Sequence, residues 1–301
     1  MTLLADITGS SETAGTVTIN AVDDNQRATA AAISLDGVTG LTIDGITAQG
    51  GTEESILVLN SPDTVIRNCT AVGSQGDGVF VESSNSAVVF DNLTYTNRSA
   101  GIRVYGSSNV QVVNNTIYGN HGIGLFIGTA ADPSIGIVVE NNIINSNTGV
   151  GFDVEQGNDV TSDYNLNTDG YAGNASAGAH DIAADPLFVA GGTDFHLSPQ
   201  LDDCTGGSPA VNAGDPDTAV DFIATLQQRT TREDQAPDCV GPGCCTTVLP
   251  SPTPVVVDLQ PGQVDLGYHY PGLPPTPTPK ATRTAGKTKT PTRTPTRTPT
   301  V

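Results

Sequence analysis

Hydrophobic residues recur through the first half of the chain at a stride of about 23 positions. One column consists of Ile33, Ile56, Val79, Ile102, Leu125 and Phe152, with intervals of 23, 23, 23, 23 and 27. Around its members, apolar and variable residues alternate for about four to six positions, as in "GIRVYGS" and "GVFVESS". Such short segments, rich in Val, Ile and Thr and bounded by Gly, Asn, Asp and Ser, predict β-strands joined by tight turns.

Asparagine forms a second column over the same stretch. Its members are Asn68, Asn92, Asn115, Asn142 and Asn165, and Gly45 and Ala21 continue the series towards the N-terminus. Four extra residues near "GTAADPS" account for the interval of 27 in both columns. A repeat of this length predicts a solenoid in which equivalent residues stack about 4.8 Å apart in parallel sheets. Because a buried amide needs partners, we expect the asparagines to form a hydrogen-bonded ladder.

The phrases "VQVVNNTIYGN", "IVVENNIINSN" and "DYNLN", together with the "G-I-x-V" strands, resemble the right-handed parallel β-helix repeat family. The resemblance covers about residues 15 to 170 and implies an all-β fold, a right-handed single-stranded parallel β-helix of about six or seven coils. The segments "ADPLFV", "DFHLSP", "SPAVNAGD" and "VDLGYHY" are similar to the ends of secreted bacterial β-helix proteins, which implies an irregular C-terminal cap. The family includes lyases, hydrolases, epimerases, adhesins and phage spikes, so the resemblance implies no single function.

These patterns divide the chain into three parts: parallel β-helix repeats over residues 1–200, a cysteine-containing cap over 201–270, and a basic Thr/Pro-rich linker over 271–301. The linker consists mostly of Thr, Pro, Lys and Arg and cannot form a packed core, and we expect it to be extended, solvated and disordered. A spacer of this kind indicates further domains in a longer chain.

Cysteine usage favours a location outside the cytoplasm. Four of the five cysteines fall in the cap, where a poor core would gain most from disulfides: Cys204, Cys239, Cys244 and Cys245. We expect Cys204 to pair with one of the later three, and a zinc site is the alternative. Cys69 lies in an inward column and is expected to be a small core residue.

Charge separates the body from the tail. Before position 271 there are 32 acids and six bases, a net charge of −26, whereas the tail carries six bases and no acid. A body this acidic repels nucleic acid and anionic lipid, so neither is expected as a partner. Solubility of an extracellular protein explains the charge most simply, and calcium or a cationic partner is the alternative. No segment is long enough to span a membrane, and no signal peptide is visible.

Candidate binding residues lie on the outward face of the "G-I-x-V" strands, since alternate residues of a strand face opposite sides. One outward column is Ser34, Leu57, Phe80, Arg103, Phe126 and Asp153, and two residues later runs Asp36, Leu59, Glu82, Tyr105, Gly128 and Glu155. Rings and carboxylates on one face suit a sugar-binding cleft, and the candidate polysaccharide contacts are Phe80, Glu82, Tyr105 and Phe126. Alternatively, the rings hold the Arg103 cation for stability, or the face is simply solvated.

The same face allows two catalytic chemistries. The Cα atoms of Asp153 and Glu155 should lie about 6.6 Å apart, which suits the paired carboxyls of glycoside hydrolysis. Uronate β-elimination needs a positive centre, for which Arg103, about 10 Å from Asp153, is the best candidate. The resemblance to polysaccharide lyases implies a calcium-binding acid cluster beside a basic residue, but no lysine precedes position 280. Asp77 in "QGDGVF" is either a calcium ligand or a turn residue.

We therefore expect a secreted or cell-surface β-helix scaffold or adhesion module that contacts polysaccharide along this face. The alternative is a polysaccharide lyase or glycoside hydrolase that acts on acidic glycans through Arg103, Asp153 and Glu155. No residue is assigned to a metal site, and calcium is the one cofactor considered.

Overall fold

The computed structural model describes residues 2–4, 17–20, 31–198, 207–211, 213–215, 217, 229–230, 265–267 and 270–271. Within these ranges the chain forms β-strands and turns and no helix. Three seven-stranded parallel sheets wind along the chain, and each complete coil contributes one strand to every sheet.

The front sheet contains the "G-I-x-V" strands. They are β3 (Ile33–Asp36), β6 (Ile56–Leu59), β9 (Val79–Glu82), β12 (Ile102–Tyr105), β15 (Leu125–Ile127), β18 (Phe152–Val154) and β21 (Tyr171–Gly173). The predicted hydrophobic column is confirmed, because each member pairs directly with the next from Ile33 to Phe152. In strands β6, β9 and β12 the first and third residues are buried and the second and fourth are partly exposed, as the alternating pattern predicts.

The second sheet follows the front sheet in each coil. It contains β1 (Thr2–Leu4), β4 (Thr42–Asp44), β7 (Val65–Arg67), β10 (Val88–Phe90), β13 (Gln111–Val113), β16 (Ile137–Glu140) and β19 (Val160–Asp163). The third sheet completes the coil with β2 (Val17–Asn20), β5 (Ile46–Gln49), β8 (Thr70–Val72), β11 (Leu93–Tyr95), β14 (Thr116–Tyr118), β17 (Ile143–Asn145) and β20 (Leu166–Asn167). Isoleucine and valine from all three sheets fill one continuous core.

Polar ladders occupy the three corners between the sheets. At the corner between the second and third sheets, the side-chain oxygens of Asn92, Asn115, Asn142 and Asn165 each accept the backbone N–H one coil earlier, at 2.9–3.0 Å. Asn97, Asn120 and Asn147 do the same between the third and front sheets. Serines occupy the remaining corner, where Ser61, Ser84, Ser107 and Ser134 accept the preceding coil's N–H. The asparagine ladder is thus confirmed, and two further ladders accompany it.

Both asparagine ladders end on a carboxylate. The backbone N–H of Asn165 donates to Asp181 Oδ1 at 2.7 Å. In the second ladder, the backbone N–H of Asn147 donates to Asp169 Oδ2 at 2.7 Å, and its side-chain amide donates to the same oxygen at 2.9 Å. In both cases the last donor of the stack is satisfied by a group that only accepts.

The predicted asparagine column is wrong at its N-terminal end. Cys69, not Asn68, stands at the ladder position, because its backbone N–H donates to Asn92. The Cys69 thiol is fully buried and lies 3.7 Å from the carbonyl of Ile43, where a ladder asparagine would place its amide. The expectation that Cys69 is a small core residue is confirmed.

Asn68 belongs to a neighbouring column of left-handed turn residues. Its φ is +56°, and Asp91, Asn114 and Asn141 take φ values of +54°, +55° and +60°. Asparagine and aspartate tolerate this conformation better than other non-glycine residues, which explains why two asparagines stand side by side. The second sheet has the same register, since Phe90 pairs with Arg67 and Val89 pairs with Ile66.

The first members assigned to the series are also corrected. Val17 pairs with Ile46 in the third sheet, so the register of β2 does not place Ala21 one coil before Gly45. The prediction counted back one full period from Gly45, but β2 is joined to β3 by a longer connection than the later coils have.

Segments that follow the coils cover part of the third sheet. The antiparallel strands β22 (Phe188–Ala190) and β23 (Asp194–Leu197) pack Phe188 and Phe195 on Tyr118 of β14, with ring centroids 5.8 and 5.0 Å apart. Ala210 and Leu266 are buried in a cluster with residues of β17 and β20. Two short strands, β24 (Arg229–Thr230) and β25 (Tyr270–Pro271), also pair antiparallel. The contacts of β22, β23, Ala210 and Leu266 given above thus lie on the third sheet.

Candidate functional site

The structure places the predicted outward residues of the front sheet side by side. Phe80 of β9 pairs with Arg103 of β12, Arg103 pairs with Phe126 of β15, and Phe126 pairs with Asp153 of β18. In the neighbouring column, Glu82 pairs with Tyr105. Four residues therefore form one patch: Phe80, Arg103, Tyr105 and Phe126.

The guanidinium of Arg103 is at the centre of this patch. Its Nε and Nη2 donate to the two carboxylate oxygens of Asp77, with an Nη2 to Oδ1 distance of 3.0 Å. Nη1 donates to the Tyr105 hydroxyl at 2.7 Å, and Nη2 also donates to Ser99 Oγ at 2.9 Å. All three nitrogens of the guanidinium are thus bonded within the protein, and its side chain is only 20% exposed.

Aromatic rings surround the same guanidinium. Its central carbon lies 5.9 Å from the ring centroid of Phe80, 5.3 Å from that of Tyr105 and 5.1 Å from that of Phe126. The Tyr105 ring packs edge-on against Phe80 at 5.3 Å and against Phe126 at 5.7 Å. These distances fall in the range of cation–π and edge-to-face contacts, so cation and rings hold one another in place.

Asp77 holds the patch from the preceding corner. Its side chain is 6% exposed, and Oδ1 also accepts the backbone N–H of Ala100 at 2.7 Å. A carboxylate with an arginine and a backbone donor has its charge satisfied, so the geometry favours the turn role of Asp77 over that of a calcium ligand.

Glu54 is a neighbour of this patch that the sequence analysis missed. It lies 23 residues before Asp77, at the equivalent position one coil earlier. Burial, followed by the negative charges of Asp77 and Glu53, raises the pKa of Glu54 to about 7. Like-charge stacking of this kind could have been anticipated from the 23-residue stride, since it places Glu54 beside Asp77.

Asp153 and Glu155 occupy the other end of the face. Phe126 lies between Arg103 and Asp153, so these two residues are two strands apart, as the register predicts. Burial and the charge of Glu155 raise the pKa of Asp153. Glu155 Oε2 accepts the backbone N–H of Ala130 at 3.0 Å and thereby holds the insertion that lengthens this coil.

The insertion borders the face beside Tyr105. Thr129 Oγ1 accepts the backbone N–H groups of Ala131 and Asp132 at 3.1 Å, which closes the loop on itself. Asp132 packs against Gly106 so closely that a Cβ at Gly106 would collide with its carboxylate. The four extra residues thus form a rim next to the aromatic patch.

The family of the chain follows from these coils. A family model described as the right-handed β-helix region matches residues 31–184, just over half of the chain. The chain belongs to the right-handed β-helix family. The matched residues include every complete coil of this β-helix and the whole aromatic patch.

Two solved structures are similar to this β-helix protein. The A-module of mannuronan C-5 epimerase AlgE6 from Azotobacter vinelandii is 18% identical, with a TM-score of 0.37, over 51% of this chain and 55% of the module. The Dettilon tailspike protein is 22% identical, with a TM-score of 0.29, over 53% of this chain and 31% of the tailspike. The β-helix protein therefore spans about half of the first chain and under a third of the second. Comparison with curated proteins gave no match.

The described ranges of this β-helix contain neither a membrane-spanning helix nor a metal-binding cluster. They contain no helix long and apolar enough to cross a membrane. They also contain no group of three or more His, Cys, Asp or Glu side chains arranged to hold a metal ion. The cap cysteines Cys204, Cys239, Cys244 and Cys245, and residues 272–301 of the basic linker, lie outside the described residues.

Proposed function

We propose that this protein is an extracellular or cell-surface module that binds polysaccharide along its front sheet without transforming it. The observation that supports the proposal is the pair of rings Phe80 and Tyr105 on the outward side of the sheet. Phe126, the third predicted ring, is buried at 8% exposure and packs against Tyr105 from within the patch. Phe80 and Tyr105 are only half-buried, and Phe188, Phe195 and Leu266 of the C-terminal segments pack on the third sheet rather than on this one.

Aromatic rings on a rigid face suit carbohydrate because a sugar presents an apolar face of C–H groups and a rim of hydroxyls. Side-chain ordering normally costs about 0.5–1.5 kcal/mol for each residue immobilised on binding. Here the contacts with Arg103 hold the rings before a ligand arrives. Glu82 beside Tyr105 supplies a carboxylate that can accept hydrogen bonds from sugar hydroxyls.

The engagement of Arg103 favours binding over β-elimination. To neutralise a substrate carboxylate, the guanidinium would have to exchange donors that already bond Asp77, Tyr105 and Ser99. Losing the Asp77 pairing would leave a buried carboxylate without its partner, which typically costs about 3–5 kcal/mol. Arg103 is therefore assigned to hold the rings rather than to act on a substrate.

The proposal is tested by measuring the binding of the full chain to a panel of soluble polysaccharides by isothermal titration calorimetry. Phe80→Ala is expected to weaken binding about tenfold, because a ring contact contributes about 1.4 kcal/mol. Phe80→Leu keeps apolar bulk without the ring and should weaken binding nearly as much. Val38→Ala, at a side chain 36% exposed outside the two columns, should bind as the parent does. Equal affinity of all four proteins would refute the assignment of the binding face.

Glycoside hydrolysis is a second candidate function, and the raised pKa of Asp153 favours it. This chemistry requires two neighbouring carboxyl groups, one of which has a raised pKa, and Glu155 lies two residues from Asp153 along the chain. The test is a reducing-end assay on the same panel, with Asp153→Asn and Glu155→Gln as variants. Release of reducing ends that both variants abolish would support hydrolysis, whereas absorbance from unsaturated products would indicate β-elimination.

A further inference from the structure

The charges around the front sheet do not balance. Arg103 is neutralised by Asp77, with which it forms two hydrogen bonds. The outward columns otherwise carry acids and no base: Asp36, Glu82, Asp153 and Glu155. The positive charge of this face is therefore already used inside the protein, and its uncompensated charge is negative.

The turns that lead into the front sheet add to this imbalance. Glu53 and Glu54 lie on one such turn, and the exposed Arg98 and His121 lie on turns two and three coils later. Burial and neighbouring carboxylates also raise the pKa of Glu54 at one end of the face and of Asp153 at the other. The carboxylate of a ligand bound along the rings would be repelled by these acids. Among the described arginines and lysines that border the face, only Arg98 would attract it.

We propose that the front sheet selects neutral polysaccharides and rejects acidic ones, which deepens and rests on the proposed binding function. The rings contact the apolar faces of the sugars, and Glu82 and Asp153 accept hydrogen bonds from their hydroxyls. A uronate or sulfate group presents acceptors in place of those donors and brings a like charge. The acids of this face thus determine specificity, while Phe80 and Tyr105 provide the contact area and the buried ring of Phe126 supports them.

A matched pair of polymers tests the proposal with the full chain. Polygalacturonate and its fully methyl-esterified form have the same backbone and differ in charge, and mannan and hyaluronan extend the comparison to other sugars. We expect the ester and at least one neutral polymer to bind at least ten times more tightly than the acidic polymers at low salt. This difference should narrow as the salt concentration approaches that of physiological buffer, because screening weakens interactions between exposed charges.

Variants of the acids identify the source of the rejection. The double variant Glu82→Gln and Asp153→Asn should bind acidic polymers several-fold more tightly than the parent, so that the ratio of neutral to acidic affinity falls several-fold. The single variant Glu82→Gln serves if the double variant does not fold, as judged by circular dichroism. Acidic polymers that bind the parent as tightly as neutral ones would overturn the selectivity and leave the proposed function standing. An unchanged preference in the variants would overturn the role of these acids. No binding to any polymer would overturn the proposed function itself.

Discussion

Asn115 provides the sharpest test of the ladder, because it sits in the middle of the corner column. It is fully buried. Its Nδ2 donates to the carbonyls of Val89 and Val113 at 2.9 and 3.1 Å and to Asn142 Oδ1 at 3.0 Å. Its Oδ1 accepts both the backbone and the side-chain N–H of Asn92 at 3.0 Å. Asn115→Ala removes all five hydrogen bonds in one step.

The cost can be worked out from the groups left behind. The backbone N–H of Asn92 has no other partner at that corner and becomes a buried, unsatisfied donor. A buried group that loses its partner costs about 1–3 kcal/mol, and the carbonyls of Val89 and Val113 lose one donor each. Allowing for relaxation, we expect Asn115→Ala to lower the free energy of unfolding by about 3–5 kcal/mol. For a domain of this size, the melting temperature should fall by roughly 6–20 °C.

Chemical denaturation followed by far-ultraviolet circular dichroism measures this change. Asn145→Ala is the matched control, since Asn145 lies in the next coil but is partly exposed and bonds Thr168 Oγ1 at the surface. It should cost less than about 1 kcal/mol. If Asn115→Ala and Asn145→Ala differed by less than about 1 kcal/mol, the argument that stacked amides satisfy the corner would be refuted.

Three further predictions follow from individual contacts. Cys69→Asn should be more stable than Cys69→Ala by about 1–2 kcal/mol in the same assay, because the new amide reaches the carbonyl of Ile43 and extends the ladder by one coil; equal stability would contradict the register. Arg103→Met should lower stability by about 3 kcal/mol, because it leaves Asp77 buried without its cation, and adding Asp77→Asn should recover part of the loss. Glu54→Gln should change how stability depends on pH. The raised pKa of Glu54 means that the native state holds a proton that the unfolded state releases above about pH 4.5, so the contribution of Glu54 is full below that pH and is lost as pH rises through about 7. The variant should gain about 1–2 kcal/mol over the parent across this window, a value reduced because solvent screens a half-exposed group, and a difference that does not vary with pH would contradict the prediction.

The front sheet was predictable because its marker is unambiguous. A β-branched or leucine residue that follows glycine at a fixed stride, as Ile102 follows Gly101, has one compatible position in the coil. The exact position of the asparagine column could not be predicted, because two adjacent positions both favour asparagine for different reasons. One residue must adopt positive φ, as Asn114 does, and the next must bond along the stack, as Asn115 does. Where cysteine replaced the second asparagine, the remaining Asn68 was assigned to the wrong position.

The serine ladder and the core of the site escaped prediction for related reasons. Serine is common in turns of every kind, so the 23-residue spacing of Ser61 and Ser84 does not by itself indicate a hydrogen-bonded ladder. The pairing of Asp77 with Arg103 spans 26 residues because it runs from a corner of one coil to a strand of the next. A period reveals which residues stack directly, but diagonal contacts depend on side-chain length and direction. The sequence therefore placed Arg103 among the rings and missed the acid that holds it.

The carboxylates of Asp169 and Asp181 show how an asparagine ladder of a β-helix can be ended. Each coil presents backbone N–H donors towards the coil that follows it. The ladder therefore has a direction and can be extended only at the end that presents these donors. A side-chain amide continues the ladder because it both accepts and donates hydrogen bonds, whereas the carboxylate of aspartate only accepts them. Aspartate in place of asparagine therefore ends the ladder. To lengthen this protein, new coils would have to be inserted before Asp169 and Asp181, so that these two residues remain the last members of their ladders.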